Sequence, residues 1–169
     1  MDLEVSCKEG RWQARFGEQV WPCAVGRGGV REDKTEGDHA TPAGRWPIRR
    51  VLYRADRLQR PETAFPCDPL QPDDGWCDAP ADPQYNRLVR LPYPAGHERL
   101  WRDEEVYDCI VVLGYNDRPV RAGAGSAIFL HIARRDLAPT EGCVALLRGH
   151  LLEFLRAAPR SSRVRVALA

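Results

Sequence analysis

In the segment FLHIARRDLAPTEGCVALL, His131 ends an apolar stretch and Cys143 follows a glycine twelve positions later. A thiol becomes a strong nucleophile near neutral pH when a base lies within hydrogen-bond reach, and imidazole is the usual base. The pair therefore suits nucleophilic attack on an acyl carbon, with Cys143 as nucleophile and His131 as base. Gly142 lacks a Cβ, so its backbone is free to turn the amides of residues 142 and 143 toward one point, as an oxyanion requires. Taken singly, a cysteine or a histidine is more often a packed residue than a reactive one. The combination is what points to chemistry.

Around this pair the chain reads Thr140-Glu141-Gly142-Cys143-Val144-Ala145-Leu146, and upstream Thr41-Pro42-Ala43-Gly44-Arg45-Trp46-Pro47-Ile48. Together, in this order, the two segments resemble the L,D-transpeptidase catalytic domain (YkuD-type). Its signature is a strand-borne His, then Ser/Thr-His-Gly-Cys, with a Thr-Pro-x-Gly segment opening an earlier strand. The resemblance implies a mostly β, sandwich-like catalytic fold and attack of Cys143 on a peptide carbonyl preceding a D-amino acid. It implies no cofactor and no metal, and a peptidoglycan stem peptide as substrate. It also implies that the second ring nitrogen of His131 is steered by a backbone carbonyl, that of Ile132. The thioacyl-enzyme would pass to an amine (transpeptidation) or to water (carboxypeptidase action).

This sequence departs from the pattern at two places. Glu141 replaces the usual His, placing a carboxylate by the thiol where it opposes thiolate formation. Ala145 replaces the usual Arg, and Arg134 and Arg135 are the nearby cations that supply positive charge instead. Thr140, Glu141, Arg134, Arg135 and His97 are taken as the substrate-binding set. His39 and His150 are read as packing or surface residues. The competing readings are a non-catalytic module binding peptidoglycan peptides in the same cleft, and a redox or metal-binding protein built on Cys67, Cys77 and the histidines.

The elements that must hold this pair are mainly strands. Alternation predicts strands over Arg11–Phe16 and Val20–Val25, with Pro22 marking an edge. Another is expected over Arg45–Tyr53, after a long polar loop. Glu105–Tyr115, with the apolar run Cys109–Leu113, reads as a buried central strand, and Ser126–Ala133 as a second strand. Leucines and Phe154 at helical spacing predict one helix over Leu146–Ala158, stopped by Pro159, followed by a strand over Arg163–Leu168. Between Asp56 and Asp103 the composition shifts. Eight of the fourteen prolines lie from Pro61 to Pro94, and proline removes donors and disfavours helix before it. The aromatics Trp76, Tyr85, Tyr93 and Trp101 predict that this insert is nonetheless ordered and lies over the cleft.

At 169 residues the chain reads as one domain, residues 1–169. A formal net charge of +1 gives no global field for nucleic acid, and no apolar run reaches the roughly 18 residues of a membrane span. The N-terminal MDLEVSCKEGRW lacks the cations and apolar core of a secretory signal, whereas the family resemblance implies work on the cell-wall side of the membrane. Six cysteines with no C-x-x-C pair read as reduced thiols. Oligomeric state is not legible.

Overall fold

The computed structural model describes residues 1–169, and it is built mostly of strands. In chain order these are β1 (Leu3–Lys8), β2 (Arg11–Phe16), β3 (Gln19–Ala24), β4 (Val30–Arg31), β5 (Thr41–Pro42) and β6 (Gly44–Tyr53). Four short strands follow: β7 (Cys67–Pro69), β8 (Asp74–Cys77), β9 (Leu88–Arg90) and β10 (His97–Arg99). A 3-10 turn at Glu105–Tyr107 leads into β11 (Cys109–Leu113), β12 (Phe129–Ile132) and β13 (Val144–Leu146). Helix α1 (Arg148–Ala157) and β14 (Arg163–Val166) complete the chain.

The main sheet runs β11-β12-β13-β3-β2-β1-β14-β6, and β6 pairs back onto β11. The sheet is thus a closed β-barrel, which corrects the sandwich-like expectation. Its closure rests on the length of β6, ten residues. The first part, Gly44–Pro47, pairs with β14, and the rest, from Ile48 to Tyr53, pairs with β11. Alternation within a strand looks the same in a sandwich and a barrel, so the sequence did not separate them. β3 is also not a sheet edge, because it lies between β2 and β13. Pro22 is tolerated because pairing with β13 begins only at Cys23, leaving the proline where β3 outruns its neighbour.

Inward-facing residues, including Val5, Val111, Leu130, Val144 and Val164, form one core with Leu151, Phe154 and Leu155 of α1. The helix covers this core with its apolar stripe, and Phe16 meets Phe154 edge-on at 5.1 Å between centroids. It starts at Arg148 rather than Leu146, because Leu146 is held in β13, paired to Cys23 and Ile132.

The outward-facing residues of β11 and β12, Ile110, Val112 and Phe129, are buried in a second core with Leu70, Trp76, Leu100 and Tyr107. Burial on both faces explains why Cys109–Leu113 reads as a continuous apolar run. The proline-rich segment provides most of that outer layer. It is not devoid of regular structure: β10-β8-β9 form a small antiparallel sheet, and β7 adds to β6 in parallel. Asn86, in a left-handed backbone conformation, ties this layer down. Its side chain accepts from Trp76 Nε1 (2.9 Å) and the Ala127 amide (3.1 Å) and donates to the carbonyls of Tyr115 and Asn116.

Truncating the fully buried Phe154 removes the aromatic contact that docks α1. Phe154→Ala is expected to lower unfolding free energy by about 3–5 kcal/mol in denaturant titration. Arg156→Ala, on the exposed side of the same helix, is expected to stay within about 0.5 kcal/mol of wild type.

Candidate active site

β12 and β13 run parallel with Leu130 opposite Val144 and His131 opposite Ala145. Since side chains alternate, Leu130 and Val144 face the barrel core while His131, Ala145 and Cys143 face outward. There they line a cavity of ≈ 670 Å³. One wall comes from the proline-rich segment, through Asp78, His97, Glu98, Arg99 and Arg102.

The turn before Cys143 is held from several sides. Thr140 exchanges backbone hydrogen bonds with Val25 and Arg27. The Cys143 carbonyl accepts from the hydroxyls of Thr140 (2.6 Å) and Thr41 (3.4 Å), and Thr41 also accepts from the Gly26 amide (2.8 Å). The Thr-Pro-x-Gly segment thus meets the cysteine turn through its threonine. Gly142 has φ +139, and a Cβ there would lie 3.0 Å from the Ala40 carbonyl. Gly26 is equally constrained, because its Cβ would come within 2.3 Å of the His39 carbonyl.

His131 is buried, and its Nδ1 is 2.9 Å from the Ile132 carbonyl. That acceptor fixes the proton on Nδ1 and leaves Nε2 as the basic nitrogen. The expected steering carbonyl is therefore the one observed. Tyr107 packs edge-on against the imidazole, 5.2 Å between centroids. The Cys143 thiol donates to the Ala127 carbonyl (3.2 Å) and accepts from the Phe129 amide (3.4 Å). No hydrogen bond joins it to His131 in this conformation.

Both groups are held neutral. Burial pushes the Cys143 thiol up to about 12, and the Glu98 carboxylate adds to this, against the Phe129 amide, Lys34 and Arg102. Burial lowers His131 to about 4; the bond to Ile132 opposes this and the charges of Arg102 and Arg134 reinforce it.

The structure redistributes the expected substrate-binding residues. Glu141 is exposed, ion-paired to Arg27 (3.2 Å) and in contact with His39 Nδ1, so it is not the carboxylate that bears on the thiol; Glu98 is. Thr140 lines the cavity, yet its hydroxyl is committed to the Cys143 carbonyl and to the Gly142 amide (3.2 Å). That amide is therefore already bonded, and the expected pair of free amides reduces to that of Cys143. Arg134 lines the cavity and pairs with Glu104 at 3.0 Å. Arg135 is exposed and does not line it. His97 does, with Nδ1 2.8 Å from the Ala95 carbonyl. His150, on α1, stacks on Trp21 and does not line the cavity.

Among the cavity residues that went unforeseen, three form one cluster. Glu98 Oε1 accepts from Tyr107 Oη (2.5 Å) and from Arg102 Nη2 (2.7 Å), and the Arg102 guanidinium lies 4.4 Å over the Tyr107 ring. Burial raises Glu98 above the ordinary carboxylate range. Only the Glu98/Arg102 spacing of four hinted at the pair, and it lies outside any helix.

Two outcomes are expected. His131 should remain neutral in long-range ¹⁵N NMR spectra as pH passes through 6.5, titrating only near about 4. Because its folded value is depressed, the stability it contributes is present above 6.5 and lost as pH falls toward 4. Second, Glu141→Gln should leave the pH profile of Cys143 alkylation unchanged, since that carboxylate is exposed to solvent and already paired to Arg27.

The sequence model of the L,D-transpeptidase catalytic domain (YkuD) matches residues 8–166, nearly the whole chain. No curated protein matches it at significant similarity. Both segments that carried the resemblance, the threonine-proline strand and the glycine-cysteine turn, meet at the Cys143 carbonyl in one cavity with His131. The chain belongs to the L,D-transpeptidase catalytic domain family.

Proposed function

We propose that the chain is a cysteine acyltransferase acting on peptidoglycan stem peptides, in a single catalytic domain, with Cys143 as nucleophile and His131 as base. The observation that carries this reading is the placement of a buried thiol and an oriented imidazole on one face of adjacent strands, inside a cavity. Family membership supports the substrate class.

The neutral state of both groups defines the order of events. With thiol and imidazole uncharged, the reaction begins by transfer of the Sγ proton to Nε2 as sulfur closes on the carbonyl carbon. Rotation of the thiol away from the Ala127 carbonyl and toward Nε2 must precede it. The tetrahedral oxyanion is met by the Cys143 amide, which has no backbone acceptor within the chain. As the C–N bond breaks, His131 returns its proton to the leaving amine, and a thioester remains on Cys143. An amine or water then resolves it. The walls contributed by the proline-rich segment limit the access of water to that thioester.

One observation favours a second reading, a peptide-binding module without turnover: the thiol is bonded to its own backbone and held far from thiolate. Covalent chemistry separates the two. Incubation with a tetrapeptide stem or a carbapenem is expected to give an acyl adduct on Cys143 by intact-protein mass spectrometry. Cys143→Ala and His131→Ala should each lose turnover by at least about a thousandfold, because nucleophile and base act as one unit, while retaining the wild-type melting profile. An unmodified Cys143 after prolonged exposure would make the chain a binder.

A further inference from the structure

Glu98 occupies an unusual position in the cavity. One oxygen, Oε1, is used twice, by Tyr107 and Arg102. The other, Oε2, has no hydrogen-bond partner in the chain and is not sealed from solvent. About a quarter of the side chain is accessible, 25%, and Glu98 lines the cavity shared with Cys143 and His131. A carboxylate taken this far out of water is costly unless its remaining lone pairs find donors.

The surrounding charge decides what kind of donor fits. Arg102 is the one cation bonded to Glu98. Glu36 and Asp78 line the same cavity, close enough to raise Glu98 further. Glu36 accepts from the hydroxyls of Tyr85 and Ser126, neither of which cancels its charge. The other cavity guanidiniums are Arg134, held by Glu104, and Arg99, on the rim shared with an adjoining groove. The space beside Oε2 is therefore negative, and it favours a positively charged group.

Glu98 also reaches the reacting pair along two routes. Its hydrogen bond positions Tyr107, whose ring edge abuts His131. Its charge bears on the Cys143 thiol, second only to burial in holding the proton on sulfur. A cation seated on Oε2 would offset that charge at the moment of binding.

We propose that Glu98 is a specificity-determining residue whose free Oε2 receives an ammonium group of the substrate, and that this pairing readies Cys143 for attack. The proposal rests on the acyl-transfer reading of the same cavity. In the free protein the thiol is quiescent; a peptide without the ammonium group fills the cavity but leaves the Glu98 charge in place. The proton balance is that of the proposed reaction, with Sγ–H passing to His131 Nε2 and no further reactant.

The test needs no turnover. Carbamidomethylation of Cys143 by iodoacetamide is followed at neutral pH and low salt, with saturating Nα-acetyl-lysine amide or its uncharged norleucine counterpart. In the wild type the lysine compound is expected to accelerate alkylation several-fold, up to about tenfold for each pKa unit recovered, and the norleucine compound to slow it by blocking access. Glu98→Gln, whose amide oxygen still accepts from Tyr107 and Arg102, is expected to react faster than wild type without additive and to lose the lysine response. Equal rates with the two compounds on wild-type protein overturn the proposal, whatever the variant does. A lysine response that survives in a Glu98→Gln protein of wild-type melting temperature also overturns it. Acyl-adduct formation on Cys143 is scored separately, so a failed ammonium effect with an intact adduct rejects the Glu98 role alone.

Discussion

The site depends on one backbone pairing, the parallel register that sets Leu130 against Val144 and His131 against Ala145. In a parallel ladder, residues of one parity on both strands share a face. Cys143, one residue before β13, therefore emerges on the same side as His131 and beside Phe129, whose amide meets its sulfur. A slip of one residue would turn the cysteine into the barrel core. The register is held by apolar burial of Leu130, Val144, Ile132 and Leu146 on the inner side, and at the turn by the hydroxyls of Thr140 and Thr41 on the Cys143 carbonyl. Packing on the inner face thus sets the geometry of the polar face.

The electrostatics follow from burying that outer face as well. Covering it with the proline-rich segment and Tyr107 limits water around Cys143 and His131, and the low-dielectric surroundings favour their uncharged forms. The same exclusion strengthens the influence of whichever charges remain inside. Two carboxylates illustrate the difference. Glu141 is adjacent to the Gly142-Cys143 turn in sequence but lies in solvent between Arg27 and His39. Glu98 lies forty-five positions away in sequence, yet it occupies the cavity and acts on the thiol. Proximity in sequence was a poor guide to which charge matters, because screening by water depends on burial.

That contrast marks what the sequence disclosed. The Cys143/His131 pair was legible from its spacing and surrounding motif, β11 from its continuous apolar run, and the Ile132 carbonyl from the family resemblance. The helix was legible too, apart from the turn claimed by β13. Barrel closure was not, since it depends on one long strand changing partners midway, from β14 to β11. β1 went unread because its alternation, Leu3, Val5 and Cys7 among polar residues, is short and close to the chain start. Arg102, Tyr107 and Glu98 were invisible for a third reason. Their positions depend on the path of a segment with few periodic cues, pinned by Asn86 bonds to residues 29 to 41 positions away.

The pairing of β1 with β14 carries a consequence for how the chain is made. Leu3 is matched to Val164 and Val5 to Val166, and Ser162 donates to the Met1 carbonyl across 161 positions. A polypeptide leaving the ribosome from its N-terminus therefore holds β1 without this partner until nearly the whole sequence has been synthesised. During that interval β1 presents an open rim of backbone donors and acceptors, the kind of edge that attracts other strands. The contact that closes the ring also joins the most distant parts of the sequence, and its entropic cost is met only at the end. The barrel should therefore form in one late, cooperative step, and the interval before β14 emerges is the period in which chaperone protection matters most.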